Sequence, residues 1–472
     1  MIRHTFVKIL STLFIFGCAL LLVAQDSHYW NTKYGTESTL LGGAVVGSHL
    51  DISSTYYNPG VLGITENPAF LITGWQYNLT AIEFSNAAGR DNDLDVVRFS
   101  PAPDYVAGLF PTAAKSSKFA YSMLTRYQFK ERFFARDRFR KDVLNRPGEE
   151  WFNGEFYVDQ DMAENWFGLT WSRKISESIG LGITNFVAFR SQKFRSLIQN
   201  QALSETDAAA LTSVVRHFNY YNYRLLWKIG LAADLSPLKL GFSFTTPGIN
   251  LYGKGTSYTS HSIIGQEIQD YGDQDYLRAA EAKDRAGTFR SPLSIACGAS
   301  FRLDKTTVHT SVEWFDNIDT YQILSAPQRL AGPGDITFTT DVVQSLKSVT
   351  NFGVGVQRTF SERLEFYASF ITDFSAADLS GSDVYITTWD IHHVMTGALL
   401  RLWRSEITIG VGYAFGSDDM KQNVDFSTAH ENNLLLGERG AQTGHYNQLT
   451  VLIGFSIFPR ELFEKTLPFL GN

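Results

Sequence analysis

Residues able to do chemistry are plentiful in this chain, but their spacing assembles none of them. Among its ten histidines, His392 and His393 are neighbours in an alternating segment, so their rings point to opposite faces and cannot hold one ion together. The other histidines lack metal-ligand spacing. Asp270, Asp273 and Asp275 crowd into Asp270-Tyr271-Gly272-Asp273-Gln274-Asp275. That run lacks the distal glutamate of a calcium loop and reads as a solvated loop, as does Asp418-Asp419. Cys18 lies in the N-terminal apolar run, and Cys297 sits in an alternating run as a small hydrophobe, so an exported chain forms no internal disulfide. There is no Gly-x-Ser-x-Gly, P-loop or dinucleotide fingerprint. Gly353-Val354-Gly355 and Gly410-Val411-Gly412 belong to alternating runs, where glycine makes room and cradles no phosphate. No catalytic residue, metal or cofactor is therefore expected. A Ser/His pair brought together by the fold, as in a barrel phospholipase, is left open. A net charge of -7 over 472 residues argues against nucleic acid as a partner.

The elements that would position any site begin with an export signal. Arg3, His4 and Lys8 precede an apolar run from Ile9 to Val23, which ends at Ala24-Gln25-Asp26. The run is short for a membrane helix, which needs ~20 residues, and fits a signal peptide over residues 1–24. A lipidated Cys18 is disfavoured because Phe16 is bulky and the apolar run continues past the cysteine.

Beyond residue 24 the dominant period is two. Ile407, Ile409, Val411, Tyr413 and Phe415 alternate with small or polar residues. So do Ile179, Leu181, Ile183, Val187 and Phe189, and likewise Leu364, Phe366, Ala368 and Phe370. A soluble sandwich would also alternate, but here the second face is rich in Gly, Ser and Thr and poor in the Lys and Glu that coat soluble sheets. Aromatics make up 14% of the chain, and tryptophans such as Trp166, Trp171, Trp227, Trp314 and Trp389 fall near segment ends, as in the girdles of a membrane barrel. About fourteen such segments are expected, near 70–85, 95–110, 118–135, 155–173, 178–192, 215–234, 237–249, 289–303, 306–316, 350–360, 363–374, 389–402, 405–416 and 445–458. Tight turns at Asp234–Pro237, Leu303–Thr306, Phe360–Arg363 and Trp403–Ser405 alternate with long links near 136–154, 193–214, 250–288, 317–349 and 417–444. Within one long link, Ser204 and Asp207 are expected to cap a short helix through Ala208–Leu211. The expected fold is all-β: a transmembrane antiparallel barrel in the bacterial outer membrane, closed so that no strand edge faces lipid.

Residues 25–69 do not alternate, and their apolar content predicts packing inside the lumen of the barrel at 70–458; residues 459–472 would trail into the periplasm. The stretch Gly42-Gly43-Ala44, followed by Asp51-Ile52-Ser53-Ser54-Thr55-Tyr56-Tyr57-Asn58-Pro59-Gly60, resembles the N-terminal signature of FadL-type outer-membrane transporters. Gly60 stands where that family usually has alanine. The resemblance implies a fourteen-stranded barrel with an N-terminal plug, or hatch, gated by Gly42, Gly43, Asn58, Pro59 and Gly60. It also implies passive uptake of hydrophobic small molecules, long-chain fatty acids or aromatic hydrocarbons, by a non-enzyme embedded among outer-membrane lipid and lipopolysaccharide. The family also contains secretion-system subunits, so a barrel serving a secretion or surface-attachment machine, with envelope protein partners, is the alternative. Pro101 and Pro103 share one parity in the second segment and withhold two ladder donors from the same neighbour. They mark either a lateral opening for release of the ligand or a bulge near one rim.

Overall fold

The computed structural model describes residues 27–65, 71–112, 116–205, 208–268, 272–273, 275–325, 329–331, 337–339, 341–378, 388–402 and 405–457. The expected signal peptide, the C-terminal extension, Asp207, Asp270 and residues 25–26 and 66–69 of the expected hatch lie outside these.

Period-two sequence becomes long antiparallel strands. They are β1 Leu71–Ser85, β2 Leu94–Phe110, β3 Ser117–Lys141, β4 Glu150–Ser176, β5 Ile179–Leu203, β6 Ala209–Leu235, β7 Leu238–Thr245 and β8 Ile249–Ile264. There follow β9 Tyr276–Ala286, β10 Ser294–Leu303, β11 Thr306–Phe315, β12 Val349–Ser361, β13 Leu364–Asp373, β14 Ile391–Arg401, β15 Ser405–Lys421 and β16 Ala441–Ile457. Strands β1 to β7 and β10 to β16 pair in sequence, and β16 returns to β1 through Leu71↔Ile457 to Ser85↔Thr443. The ring closes with fourteen strands, one for each expected segment. Its outward residues include Phe167, Leu169, Ile229, Ile409, Val411 and Phe455, all exposed, as a lipid-facing band requires.

The long links correct the expected map. β4 and β6 each run for 27 residues, whereas ~9–11 cross a bilayer. Links 136–154 and 193–214 are therefore mostly strand. β3 to β6 project past the band as one sheet, which β8 and β9 extend from the upper part of β6. The expected helix at 208–211 is absent, because Ala209–Leu211 pair with Leu203–Gln201. Asp418 and Asp419 also lie in a strand, opposite Gly444 and Thr443. In the projecting sheet the faces exchange chemistry. Outward positions become charged and pair across strands, Lys130 with Asp161, Arg132 with Asp159 and Arg136 with Glu155. Inward positions become apolar, and Phe133, Phe156, Phe194 and Phe218 form a closed core with Phe426 and Leu435 from the β15–β16 loop.

Candidate functional site

The plug is built from three helices too short to stand alone: α1 Glu37–Leu40, α2 Ser54–Tyr57 and α3 Pro59–Ile64. Tertiary packing holds them, and residues 27–65 touch all fourteen strands of the ring. Asn58 is fully buried. Its Nδ2 donates to Val46 O at 2.8 Å and to Leu231 O on β6 at 3.0 Å, while its Oδ1 accepts from Gly60 N at 3.1 Å and caps α3. Pro59 occupies the first turn of α3, where its missing N–H leaves no helical bond unmade. Gly60 meets the wall backbone directly: a Cβ there would lie 2.6 Å from Gly230 O and 2.8 Å from Gly180 O. Alanine does not fit, which accounts for glycine at this position of the motif. Gly42 and Gly43 leave α1 at φ +64° and +81°, with their amides bonded to Thr39 O and Ser38 O.

Polar contacts also tie this segment to the wall. Lys33 Nζ donates to Asn31 O at 3.1 Å and to His393 Nδ1 at 2.9 Å, and burial pushes its ammonium down to about 7. Asp373 Oδ1 accepts from the amides of Tyr29 and Trp30. The two histidines thus separate as expected: His393 serves the plug, and His392 stacks on Phe370 outside it. Two Ser/His contacts form among the described residues: Ser27 Oγ lies 3.4 Å from the neighbouring His28 Nδ1, and Ser48 Oγ lies 2.7 Å from His309 Nδ1, whose Nε2 lies 3.3 Å from Gln357 Oε1. Ser48 and His309 are both buried where the N-terminal segment meets the wall, so this contact closes a joint between them.

Between the plug and β3–β6 lies a cavity of about 70 Å³, walled by Tyr29, Tyr56, Trp166, Leu226, Phe289 and Phe315. That is far below the ~300 Å³ at the small end of pockets for drug-sized ligands. The charged lining is Arg126, Arg190, Lys228 and Arg290 against Glu164 and Glu313. Glu164 is committed to Arg190 at 2.9 Å and Arg224 at 2.6 Å, and both guanidiniums sit over the Phe289 ring. Glu313 accepts from Trp30 Nε1 at 2.8 Å and Ser294 Oγ at 2.7 Å. Lys228 is buried, forms no ion pair among the described residues and sits 4.6 Å from the Tyr56 ring centre. The cavity therefore combines an aromatic wall with an excess of positive charge. Sequence reading missed this set, because its members lie on several strands and become neighbours only through register.

Pro101 and Pro103 lie in β2 opposite Tyr77 and Trp75 of β1, and the register shifts next to them, between Gly74↔Tyr105 and Trp75↔Pro103, so a bulge at residue 104 adjoins the prolines. Toward β3 the described pairing covers only Tyr105–Phe110, so residues 94–104 run beside β3 without backbone pairing. Arg98 bridges the interval, donating to Lys130 O at 2.9 Å and Glu131 Oε1 at 3.3 Å. A cavity of about 80 Å³ with a polar lining, including Gln76, Asn78, Arg98, Thr125 and Glu131, lies behind it.

No protein-family model and no curated protein sequence matches this chain. Solved structures do match in shape. A FadL homologue of Pseudomonas aeruginosa is 13% identical with a TM-score of 0.57, over 93% of this chain and 99% of that one. The toluene transporter TodX of P. putida is 12% identical with a TM-score of 0.55, over 90% and 98%. The toluene transporter TbuX of Ralstonia pickettii is 11% identical with a TM-score of 0.51, over 90% and 98%. At these identities the likeness is one of fold: the chain has the FadL-type barrel architecture.

Proposed function

We propose that this protein is an outer-membrane channel for passive uptake of hydrophobic small molecules. A solute that prefers to leave water gains nothing from a water-filled pore; it needs an apolar site to enter and a movable seal behind it. The closed plug and the aromatic cavity at its flank match that need. The fold shared with hydrocarbon and FadL-type transporters supports the same reading. Within that class the unpaired Lys228 beside an aromatic wall favours an amphiphile with an anionic head, such as a long-chain fatty acid, over a neutral hydrocarbon. Release follows movement of the plug, and the unpaired stretch of β2 next to β3 offers a sideways exit into lipid.

The test compares uptake of labelled oleate and toluene in cells carrying the wild type or Lys228→Gln. A charge-assisted hydrogen bond contributes ~1.5–3 kcal/mol, so oleate uptake should fall by about tenfold or more while toluene uptake is unchanged. Equal loss of both, or of neither, removes the anionic-head assignment. The second reading, a secretion or surface-attachment subunit, is favoured by the β3–β6 sheet, which reaches far past the lipid-facing band. Purified protein that binds no amphiphile but captures envelope proteins would replace the first reading with the second.

A further inference from the structure

Glu37 opens α1 with its carboxyl buried inside the barrel. Tyr367 Oη on β13 lies 2.7 Å from Glu37 Oε2 and 2.7 Å from Glu365 Oε2. A phenol carries one proton and donates once. Glu365 already accepts from Arg401 at 2.8 and 3.0 Å, from Gln357 at 2.8 Å and from Thr359 at 3.1 Å, the pattern of an ionised carboxylate. Tyr367 therefore donates to Glu365. The second 2.7 Å contact needs a proton of its own, and only Glu37 can supply it. With Glu37 ionised, two buried oxygens would face each other with no hydrogen between them.

We infer that Glu37 is held as a neutral acid whose proton bonds the plug to Tyr367, and that loss of this proton releases the plug. This device rests on the plug-movement reading above. Its surroundings agree with it. The carboxyls of Glu406 on β15, Asp51 of the plug and Glu365 on β13 all lie near enough to oppose a negative charge on Glu37. Arg401 on β14 is the cation of this cluster, and its guanidinium is shared between Glu365 and Glu406. His309 on β11 reaches the group only through Gln357. Burial, helped by Glu406, Asp51 and Glu365, raises Glu37 to about 8. The cluster lies next to the short β14–β15 turn, and half-exposed Arg401 opens it to that end of the barrel.

The sign follows from proton linkage. A docked plug that binds a proton more tightly than a released one is fully favoured below the ordinary carboxyl value of 4.5. It loses ground as pH rises from 4.5 toward about 8, where the docked group ionises too. Over that window one proton is released on opening, so the open-to-closed ratio climbs by up to about tenfold per pH unit and then levels off. Planar-bilayer conductance of the full protein, recorded from roughly pH 5 to roughly pH 9.5, should show this rise. Glu37→Gln, which keeps the donor and cannot ionise, should stay closed throughout; Tyr367→Phe should leak at every pH. The infrared carbonyl band of a protonated carboxyl should vanish in Glu37→Gln, a change that a merely structural role would not produce. Wild-type conductance flat with pH, alongside a conducting deletion of residues 28–60, overturns the proton lock and leaves the plug reading standing. A deletion that conducts no better than wild type overturns the plug reading itself.

Discussion

Asn58 offers a test in which geometry and helix propensity disagree. Its side chain does two separable things: Oδ1 caps α3 through Gly60 N, and Nδ2 ties the plug to Val46 O and to Leu231 O of the wall. Asn58→Ala removes all three bonds in a fully buried position. Loss of an N-cap costs ~1 kcal/mol. Each buried carbonyl left unpaired adds ~1–2 kcal/mol. The sum, about 3–5 kcal/mol, corresponds to a shift of roughly two to three and a half decades in the docking equilibrium. Asn58→Asp preserves the cap, because aspartate and asparagine are equivalent there. It also aims a charged oxygen at two carbonyl oxygens now 2.8 and 3.0 Å from Nδ2, which is worse than a vacancy. The expected order of closure at neutral pH is wild type, then Asn58→Ala, then Asn58→Asp. Single-channel recording reports it as the fraction of time spent conducting, and thermal melting checks that the barrel itself survives. If Asn58→Asp channels close as well as wild type, Asn58 only caps a helix and the wall contact is irrelevant.

Three further outcomes follow from the same contacts. A Cβ on Gly241 would overlap Val46 O, the carbonyl that Asn58 holds, so Gly241→Ala should leak; Gly412→Ala, with nothing nearer than 3.5 Å, should stay closed in the same recordings. Glu164→Gln leaves the buried Arg190 and Arg224 without a counter-charge and should destabilise the barrel by ~3–5 kcal/mol, seen as a lowered melting temperature; an unchanged melt would mean that water solvates the pair. Pro101→Thr with Pro103→Thr restores two donors beside β3 and should slow ligand release without weakening binding in equilibrium titrations; faster release would exclude this stretch as the exit.

Alternation specified the strands, and a Gly/Ser/Thr-rich second face together with connections that are short and long in turn made them a barrel. Lipid on one side and a packed lumen on the other impose the alternation on every crossing, so the fourteen wall strands were visible as period-two runs, while residues 27–65, which the structure buries against the wall, stood out as lacking that period. What lies beyond the bilayer was hidden, because the rule reverses there. Along β4, Phe167 and Leu169 face lipid; on the same parity Asp159 and Asp161 face water, while Phe156 and Val158 turn inward. An apolar stripe that changes faces reads as a loss of pattern, and residues 136–154 and 193–214 looked like loops. Ala208–Leu211 looked helical because local propensity favours it, but pairing with β5 outweighs that preference. The cavity was beyond sequence reading for a different reason. Glu164 meets Arg190 and Arg224 across 26 and 60 residues of chain, and they face one another only because β4, β5 and β6 pair in one register. A slip of one residue would turn those charges toward lipid, so it is the folded register, and nothing local to any of the three residues, that makes them a site.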